Sequence, residues 1–230
     1  MRLYLRAFLV IVSLLSGCAA ITVILSPIVK EADKQEIKFI QGDEVIISYG
    51  NSSTVSLSGR KDYSEQELQL FLTVENRSQQ DFIVDPEKIT MECYRKAINQ
   101  ENGKQETKIE ILQIISPEKY IVDYQKRVSA AKISNELGEI GALINPYQTE
   151  LNQTNRQLSQ NLQRDLIVEG MKVADLAPKL MRKHTLGSGE SIAGIVLINY
   201  KYGEKYRVTI NIGVDIHSFE FIPKEIGVSN

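Results

Sequence analysis

Residues 68–75, Leu-Gln-Leu-Phe-Leu-Thr-Val-Glu, decide the fold class because they place apolar side chains at every second position. Successive side chains of an extended chain point to opposite faces, so four of them share one face: Leu68, Leu70, Leu72 and Val74. The polar run that follows, residues 76–80, is typical of a turn. The stretch therefore predicts a strand with one buried face that ends in a turn.

Short segments of the same character lie on both sides of this strand. They are rich in branched, aliphatic or aromatic residues and are bounded by Gly, Asn, Ser or Asp. Close spacing of strands and turns favours an antiparallel sandwich over a parallel sheet. The other predicted strands are Ile37–Ile40, Val45–Tyr49, Thr54–Ser58, Phe82–Val84, Ile89–Tyr94, Thr107–Ile115, Ser191–Tyr202, Tyr206–Asp215 and His217–Phe221.

A helical segment interrupts the strands. Pro117–Ile144 has apolar residues at steps of three and four, with Ser116 as a suitable N-cap and Pro117 in the first turn. Beyond Asn145-Pro146, a second helix is predicted from Thr149 to Met171, with a narrow apolar stripe at Leu151, Leu158, Leu162 and Leu166. A short third helix is predicted over Lys172–Lys183, interrupted at Pro178.

The fold class expected from these patterns is mainly β with an α insertion. The first two helices form an antiparallel hairpin between two strands. Two interpretations of this hairpin stay open: it packs its seam on itself and on one side of the sandwich, or it projects and pairs with a helix of another chain.

The N-terminal residues have the three parts of a secretory signal peptide. Arg2 and Arg6 form a basic start, Ala7–Leu15 is apolar, and the small residues Ser16 and Gly17 mark a cleavage point. The uncharged run extends as far as Val29, which is long enough to span a membrane as a helix. An uncleaved signal anchor or a buried core helix are therefore alternatives to a cleaved leader.

Leu15-Ser16-Gly17-Cys18 resembles the lipobox of bacterial lipoproteins. The resemblance implies lipidation of Cys18 by a diacylglycerol, with acyl chains such as palmitate, and removal of the peptide before it. It also implies a protein attached to the cell membrane on its extracytoplasmic side. Ala19 in place of Asp implies the outer membrane, facing the periplasm, if the host is Gram-negative.

A second resemblance concerns the strands. Three features together are similar to immunoglobulin-like domains of small cell-envelope lipoproteins: the run Leu70–Asn76 into a polar turn, Gly189–Gly194 before a late strand, and Phe219-Glu220-Phe221 near the end. The Cys, Trp and Cys core of antibody domains is missing, since the chain has no Trp. The resemblance implies an immunoglobulin-like β-sandwich of undefined role.

These interpretations give a layout of five segments. The charged stretch Lys30–Glu36 is predicted to link the membrane anchor to the domain. The layout is a signal peptide at 1–17, a lipidated cysteine with its tether at 18–36, the first part of the sandwich at 37–115, the helical insertion at 116–185 and the second part of the sandwich at 186–230.

Composition limits the classes of partner. The chain has 27 basic and 29 acidic residues, a formal charge of -2. Removing residues 1–17 takes away Arg2 and Arg6, so the balance becomes 25 minus 29, or -4. A mildly acidic chain without a basic stripe argues against a nucleic-acid partner. If Cys18 carries lipid, Cys93 has no disulfide partner, and its alternating stretch predicts a buried, inert thiol.

No motif for chemistry stands out, and we assign no catalytic, cofactor-binding or metal-ligating residue. His184 lies three residues after Met181 and, with Met171, is the only conceivable soft-metal set, but methionines at helical spacing are usually core residues. Gly187–Glu190 has the wrong spacing for a nucleophile elbow and is predicted to be a turn. Tyr200, Tyr202 and Tyr206 are predicted to form a half-buried cross-strand cluster.

The expected function is that of a non-enzymatic interaction or assembly module, held to the membrane by its lipid and docking a protein partner through the sandwich edge or the hairpin. The alternative is an envelope hydrolase whose site is not visible in the sequence. That alternative predicts a deep cleft with His184 or His217 beside a carboxylate.

Overall fold

Antiparallel strands make up most of the computed structural model, and one long helix lies between two of them. The structure describes residues 20–62, 67–98, 105–144, 161, 164, 167–168 and 170–228; in the long helix, side chains are described as far as residue 130. The prediction of a mainly β fold with a helical insertion is confirmed at this level.

Most predicted strands are present, and most extend one or more residues beyond the prediction. His184–Leu186, which was not predicted as a strand, is one, and the predicted strand Ser191–Tyr202 ends at Asn199. The long helix, α1, covers Pro117–Ile144, as predicted, and the Ser116 side chain accepts a hydrogen bond from the Lys119 N–H at 3.2 Å. The strands are β1 (Ala20–Ile28), β2 (Gln35–Ile40), β3 (Asp43–Tyr49), β4 (Ser53–Lys61), β5 (Glu67–Asn76), β6 (Phe82–Val84), β7 (Thr90–Ile98), β8 (Gln105–Leu112), β9 (Ile114–Ile115), β10 (His184–Leu186), β11 (Ser191–Asn199), β12 (Lys205–Ile212) and β13 (Asp215–Val228).

Eleven of the described strands form one hydrogen-bonded sheet in the order β8-β7-β12-β13-β1-β4-β5-β11-β9, to which the β2–β3 hairpin is added along β4. β6 and β10 pair separately. Met91 on β7 and Leu70 on β5 come from opposite halves of this sheet, yet both belong to one buried apolar cluster. The sheet therefore curls over so that its two halves enclose a common core.

The predicted apolar faces form this core. All four alternating residues of β5, from Leu68 to Val74, are buried, as are Met91 and Cys93 on β7. The polar run after β5 turns as predicted, because the buried Asn76 side chain donates hydrogen bonds to the carbonyl groups of Gln80 and Leu186, at 2.8 and 2.9 Å. A strand with one buried face and a closing turn was thus correctly predicted.

The first strand was not predicted. Ala20–Ile28, assigned to the tether at 18–36, is strand β1, which lies between β13 and β4. Leu25 is fully buried in the core. The uncharged run in the sequence hides this strand, since its branched residues continue the apolar leader without a break. Gln35 and Glu36, also assigned to the tether, begin β2.

The chain segment that leads from α1 to β10 also differs from the prediction. Helical residues 170–176 run through the predicted boundary between Met171 and Lys172, and a single 3-10 turn, Ala177–Lys179, follows them. Leu180 then forms a parallel bridge with Ile195 of β11, so residues 180–183 are not helical. Pro178 ends the helix because it cannot continue the hydrogen-bond pattern. The predicted stripe at Leu151, Leu158, Leu162 and Leu166 lies outside the described residues.

Candidate functional site

The predicted lipidation site, Cys18, and the leader before it lie outside the described residues. Only Ala19 separates Cys18 from Ala20, where β1 begins. A fully extended chain spans at most about 3.6 Å per residue, so Cys18 lies within about 7 Å of the start of an internal strand. Among the described helices, none combines the length and the apolar character needed to cross a bilayer.

A network of buried polar side chains joins the start of β13 to the turn between β3 and β4. The Asp215 carboxylate accepts four hydrogen bonds: from the Asn51 and Ser52 N–H groups at 3.0 and 2.8 Å, and from the Ser52 and Ser53 hydroxyls at 2.6 and 2.8 Å. Asp215 thereby holds the turn as an N-cap carboxylate holds a helix start. Spacing in the sequence gave no sign of this contact, which joins residues more than 160 positions apart.

His217 extends the network into the core and is only 1% exposed. Its Nε2 lies 2.8 Å from Ser53 Oγ and its Nδ1 lies 2.9 Å from Ser48 Oγ. Because Ser53 donates its proton to Asp215, it accepts one from Nε2–H, and Nδ1 then accepts the Ser48 proton. This assignment corresponds to the neutral imidazole with its proton on Nε2.

Burial sets the charge states in this network. Burial lowers the pKa of His217 below that of free imidazole, and the nearby Asp215 charge opposes this shift. Burial alone raises the pKa of Asp215, but the hydrogen bonds from the residue 51–53 turn outweigh it and hold that pKa below its ordinary value. At neutral pH the pair is thus a carboxylate and an uncharged imidazole.

This arrangement does not match the cleft that the hydrolase alternative predicts. Asp215 and His217 are linked by hydrogen bonds through Ser53. Ser48 and Ser53 are both buried inside the domain, where no substrate could reach their hydroxyls. Two crevices of the described chain lie elsewhere: one beside Leu180, with room for about one water molecule, and one beside Ile24. The network crosslinks three strands around a turn.

Acidification should therefore weaken the fold in the window where His217 resists protonation. An unfolded histidine binds a proton below about pH 6.5, whereas the folded one stays neutral, so the free energy of unfolding should fall by up to about 1.4 kcal/mol per pH unit below that point. Urea unfolding at a series of pH values measures this slope. A second fall in the free energy of unfolding should begin below about pH 3.9. There an unfolded aspartate binds a proton, whereas the folded Asp215 still stays ionised.

His217→Gln should abolish the slope between about pH 6.5 and pH 5, because no buried imidazole then remains to be protonated. His184→Gln is the matched control, since His184 is exposed on β10. The control should keep the slope of the unaltered protein. An unchanged slope in His217→Gln would contradict the assignment.

The other residues considered in the sequence as candidates for chemistry either do not come together or are buried. Met171 and His184 are exposed, whereas Met181 is buried against Gly194 of β11, so the three do not form a metal site. Burial raises the pKa of the Cys93 thiol, which is consistent with the predicted inert thiol. Gly187 donates its N–H to Glu190 Oε2 at 2.7 Å, which closes the predicted turn.

The tyrosine cluster is smaller and more deeply buried than predicted. Tyr206 is fully buried and its ring centroid lies 6.2 Å from that of the half-buried Tyr200. Tyr202 is exposed, so its inclusion was wrong, and both Tyr200 and Tyr202 lie in the loop between β11 and β12, not on a strand as predicted. The Tyr206 hydroxyl donates a hydrogen bond to the Lys201 carbonyl at 2.8 Å, which fixes that loop over the core.

A charged cluster on the outer face of β13 was also missed. Glu220 is 5% exposed and lies 3.0 Å from Arg207, 3.2 Å from Lys30 and 3.5 Å from Lys205. Burial alone raises the pKa of Glu220, but Arg207 and Lys30 outweigh it and keep the carboxylate charged. The cluster joins β12 and β13 to the chain that follows β1.

The described part of the helical insertion has an exposed apolar surface. Ile167, Val168 and Met171, at positions i, i+1 and i+4, lie on one helix face and are 53–68% exposed. On the opposite face Val173 is buried and Leu176 packs beside Leu180. Ile167, Val168 and Met171 are called the arm stripe below.

Side chains of α1 from Ile121 to Ala130 are half-buried or exposed, and none of these is fully buried. Tyr124 of α1 lies against Gly170, so this first part of the helix packs on the returning segment. Near its start, Tyr120 packs on the small cluster of Ile115, Leu180, Ile195 and Leu197. The insertion is therefore joined to the sheet at its base, by the residues near Pro117 and Leu180.

The chain matches no family model and no curated protein, and no solved structure matches its fold.

Proposed function

We propose that this protein is an envelope lipoprotein, acylated at Cys18, that acts as a non-enzymatic interaction or assembly module. Its domain is a variant of the immunoglobulin-like sandwich, placed on the extracytoplasmic side of the cell membrane, or on the outer membrane facing the periplasm in a Gram-negative host. The helical insertion is the part that binds a protein partner.

The arm stripe is the observation that carries the binding role. Exposed apolar residues scattered singly are ordinary, but three on one helix face give a contiguous surface of the kind that enters a groove or packs on another helix. One face of this helix already packs on the sheet base, so the free face has a fixed orientation. A fixed apolar face lowers the entropy lost on binding.

The position of β1 determines how closely the proposed anchor would hold the domain. A strand that begins two residues after Cys18 leaves almost no flexible chain between lipid and domain. An acyl anchor at Cys18 therefore fixes the domain close to the bilayer and limits the directions in which the insertion can point.

Ile167→Glu with Met171→Glu should abolish capture of the partner, because two carboxylates on the arm stripe would have to be desolvated on binding. Crosslinking in cells, pull-down and mass spectrometry compare the variant with the unaltered protein. Gln125→Glu with Ser129→Glu adds the same charge to an exposed face of α1 and is the matched control. Equal capture by both variants would remove the arm stripe from the binding surface.

Cys18→Ala should stop acyl labelling and leave a precursor that keeps its leader, since both acylation and cleavage in lipoproteins depend on the cysteine. Metabolic labelling with a fatty acid and mass spectrometry of the N-terminus read out the two effects. Cys93→Ala, which removes the other cysteine, should keep full labelling. An unaltered protein that takes up no acyl label would favour the uncleaved signal anchor.

A further inference from the structure

Four exposed apolar side chains lie on strands β2 and β13. Phe39 and Ile40 end strand β2, and Ile222 and Ile226 lie on β13. Phe39 is 74% exposed and the three isoleucines are 47–48% exposed. These four residues are called the basal patch below.

The contacts of Glu44 place Phe39 on the same side of the sheet as Ile222 and Ile226, and Ile40 follows Phe39 at the tip of the hairpin. Ser26 and Lys224 lie on the same outer face of the β1–β13 pair, because Ser26 pairs with Ile222 and Lys224 is two positions further along. Glu44 accepts a hydrogen bond from Ser26 Oγ at 2.5 Å and lies 3.7 Å from Lys224 Nζ. Glu44 is also the direct cross-strand partner of Phe39. The tip of the β2–β3 hairpin therefore lies against the face that carries Ile222 and Ile226.

The anchor is within reach of this face. Ile226 pairs with Thr22, which is four residues after Cys18. At about 3.3–3.6 Å per residue, with about 5 Å more between paired strands, Cys18 can lie no further than about 20 Å from the Ile226 position. Lys224, which lies between the two isoleucines on β13, has a side chain that is 59% exposed, and its ammonium group has enough donors to contact both Glu44 and lipid phosphates.

We propose that the basal patch lies on the bilayer surface, with Phe39, Ile222 and Ile226 in the interfacial region, Ile40 at its edge and Lys224 at the phosphates. This rests on the proposed acylation of Cys18, which brings the patch to the membrane. Exposed apolar side chains beside a lipid anchor add a second membrane signal, and the two contacts together hold the domain in one orientation. The arm stripe is then presented at a fixed angle to the membrane.

The chain has no tryptophan, so a single introduced one reports its own surroundings. The experiment uses the full chain, purified with its lipid and placed in vesicles of phosphatidylethanolamine and phosphatidylglycerol, with and without brominated acyl chains. Phe39→Trp and Ile226→Trp each probe the basal patch. Val214→Trp is the matched control, because Val214 is 84% exposed in the turn before β13, about 40 Å along that strand from Ile226.

The Phe39→Trp and Ile226→Trp variants should emit at shorter wavelength than Val214→Trp and should lose at least about half of their emission to brominated lipid, as interfacial side chains do. Emission of all three as in water, on a protein whose mass shows the acyl group, would overturn the basal patch and leave the anchor standing. Shortened wavelength without quenching would mean that a protein chain covers the patch, which also overturns the inference. A mass without the acyl group would overturn the proposed anchor, and this inference with it.

Discussion

Replacing Asp215 with alanine is expected to lower the free energy of unfolding by about 4 kcal/mol. The substitution removes the acceptor of four hydrogen bonds and leaves the Asn51 and Ser52 N–H groups without it. It also frees the Ser53 hydroxyl, which links the carboxylate to His217. The cost is large because hydrogen bonds to a charged, buried acceptor are stronger than neutral ones, and their donors are costly to leave unpaired. Urea unfolding measures it.

Two further variants separate charge from shape. Asp215→Asn keeps one carbonyl acceptor and nearly the same volume, so it should cost about half as much. Asp81→Ala removes an exposed carboxylate from the loop before β6 and should change the free energy of unfolding by less than about 0.5 kcal/mol. A loss in Asp215→Ala no greater than in Asp81→Ala would show that the turn does not depend on the carboxylate.

Gly203→Ala is expected to cost about 3 kcal/mol, because a Cβ at this position would overlap Cys93 Sγ and lie 3.1 Å from the Tyr94 carbonyl oxygen. Gly203 is buried in the loop between β11 and β12, where the Cys93 thiol donates to the carbonyl groups of Lys201 and Tyr202 at 3.7 Å. The added methyl group must push this loop away from β7. Thermal or urea unfolding gives the magnitude.

Removing Cys93 Sγ tests whether its overlap with the new Cβ causes the loss of stability in Gly203→Ala. Cys93→Ala should cost about 1–2 kcal/mol alone and should cancel about 1–2 kcal/mol of the Gly203→Ala loss when the two are combined. Gly227→Ala is the matched control, since a Cβ there meets no atom within 4 Å. Additive losses in the double variant would mean that the overlap with Sγ is not the source of the effect.

Local sequence patterns correctly predicted those strand faces and helix boundaries that depend only on nearby residues. The alternation of β5 and β7 was enough to identify their buried faces, and Ser116-Pro117 marked the start of α1 correctly. β1 was missed because an apolar strand that follows an apolar run has no boundary that composition can detect. Its neighbours, β13 and β4, lie far away along the chain.

The polar contacts that hold the site together could not be predicted for the same reason. Asp215 and Ser53 look like ordinary turn residues, and only the pairing of distant strands brings them together. The arm stripe and the basal patch depend on which apolar residues the fold leaves uncovered. A hydrophobicity pattern cannot distinguish Phe39, which is exposed, from Phe221, which is buried.

The pairing of β1 with β13 has a consequence for biogenesis. The first and last described strands are hydrogen-bonded neighbours over nine residue pairs, so the sheet cannot close until β13 has been synthesised. Such a long sequence separation slows folding and leaves the growing chain open. A chain that stays open until its last strand arrives remains suitable for threading through a translocation channel, as the proposed extracytoplasmic location requires.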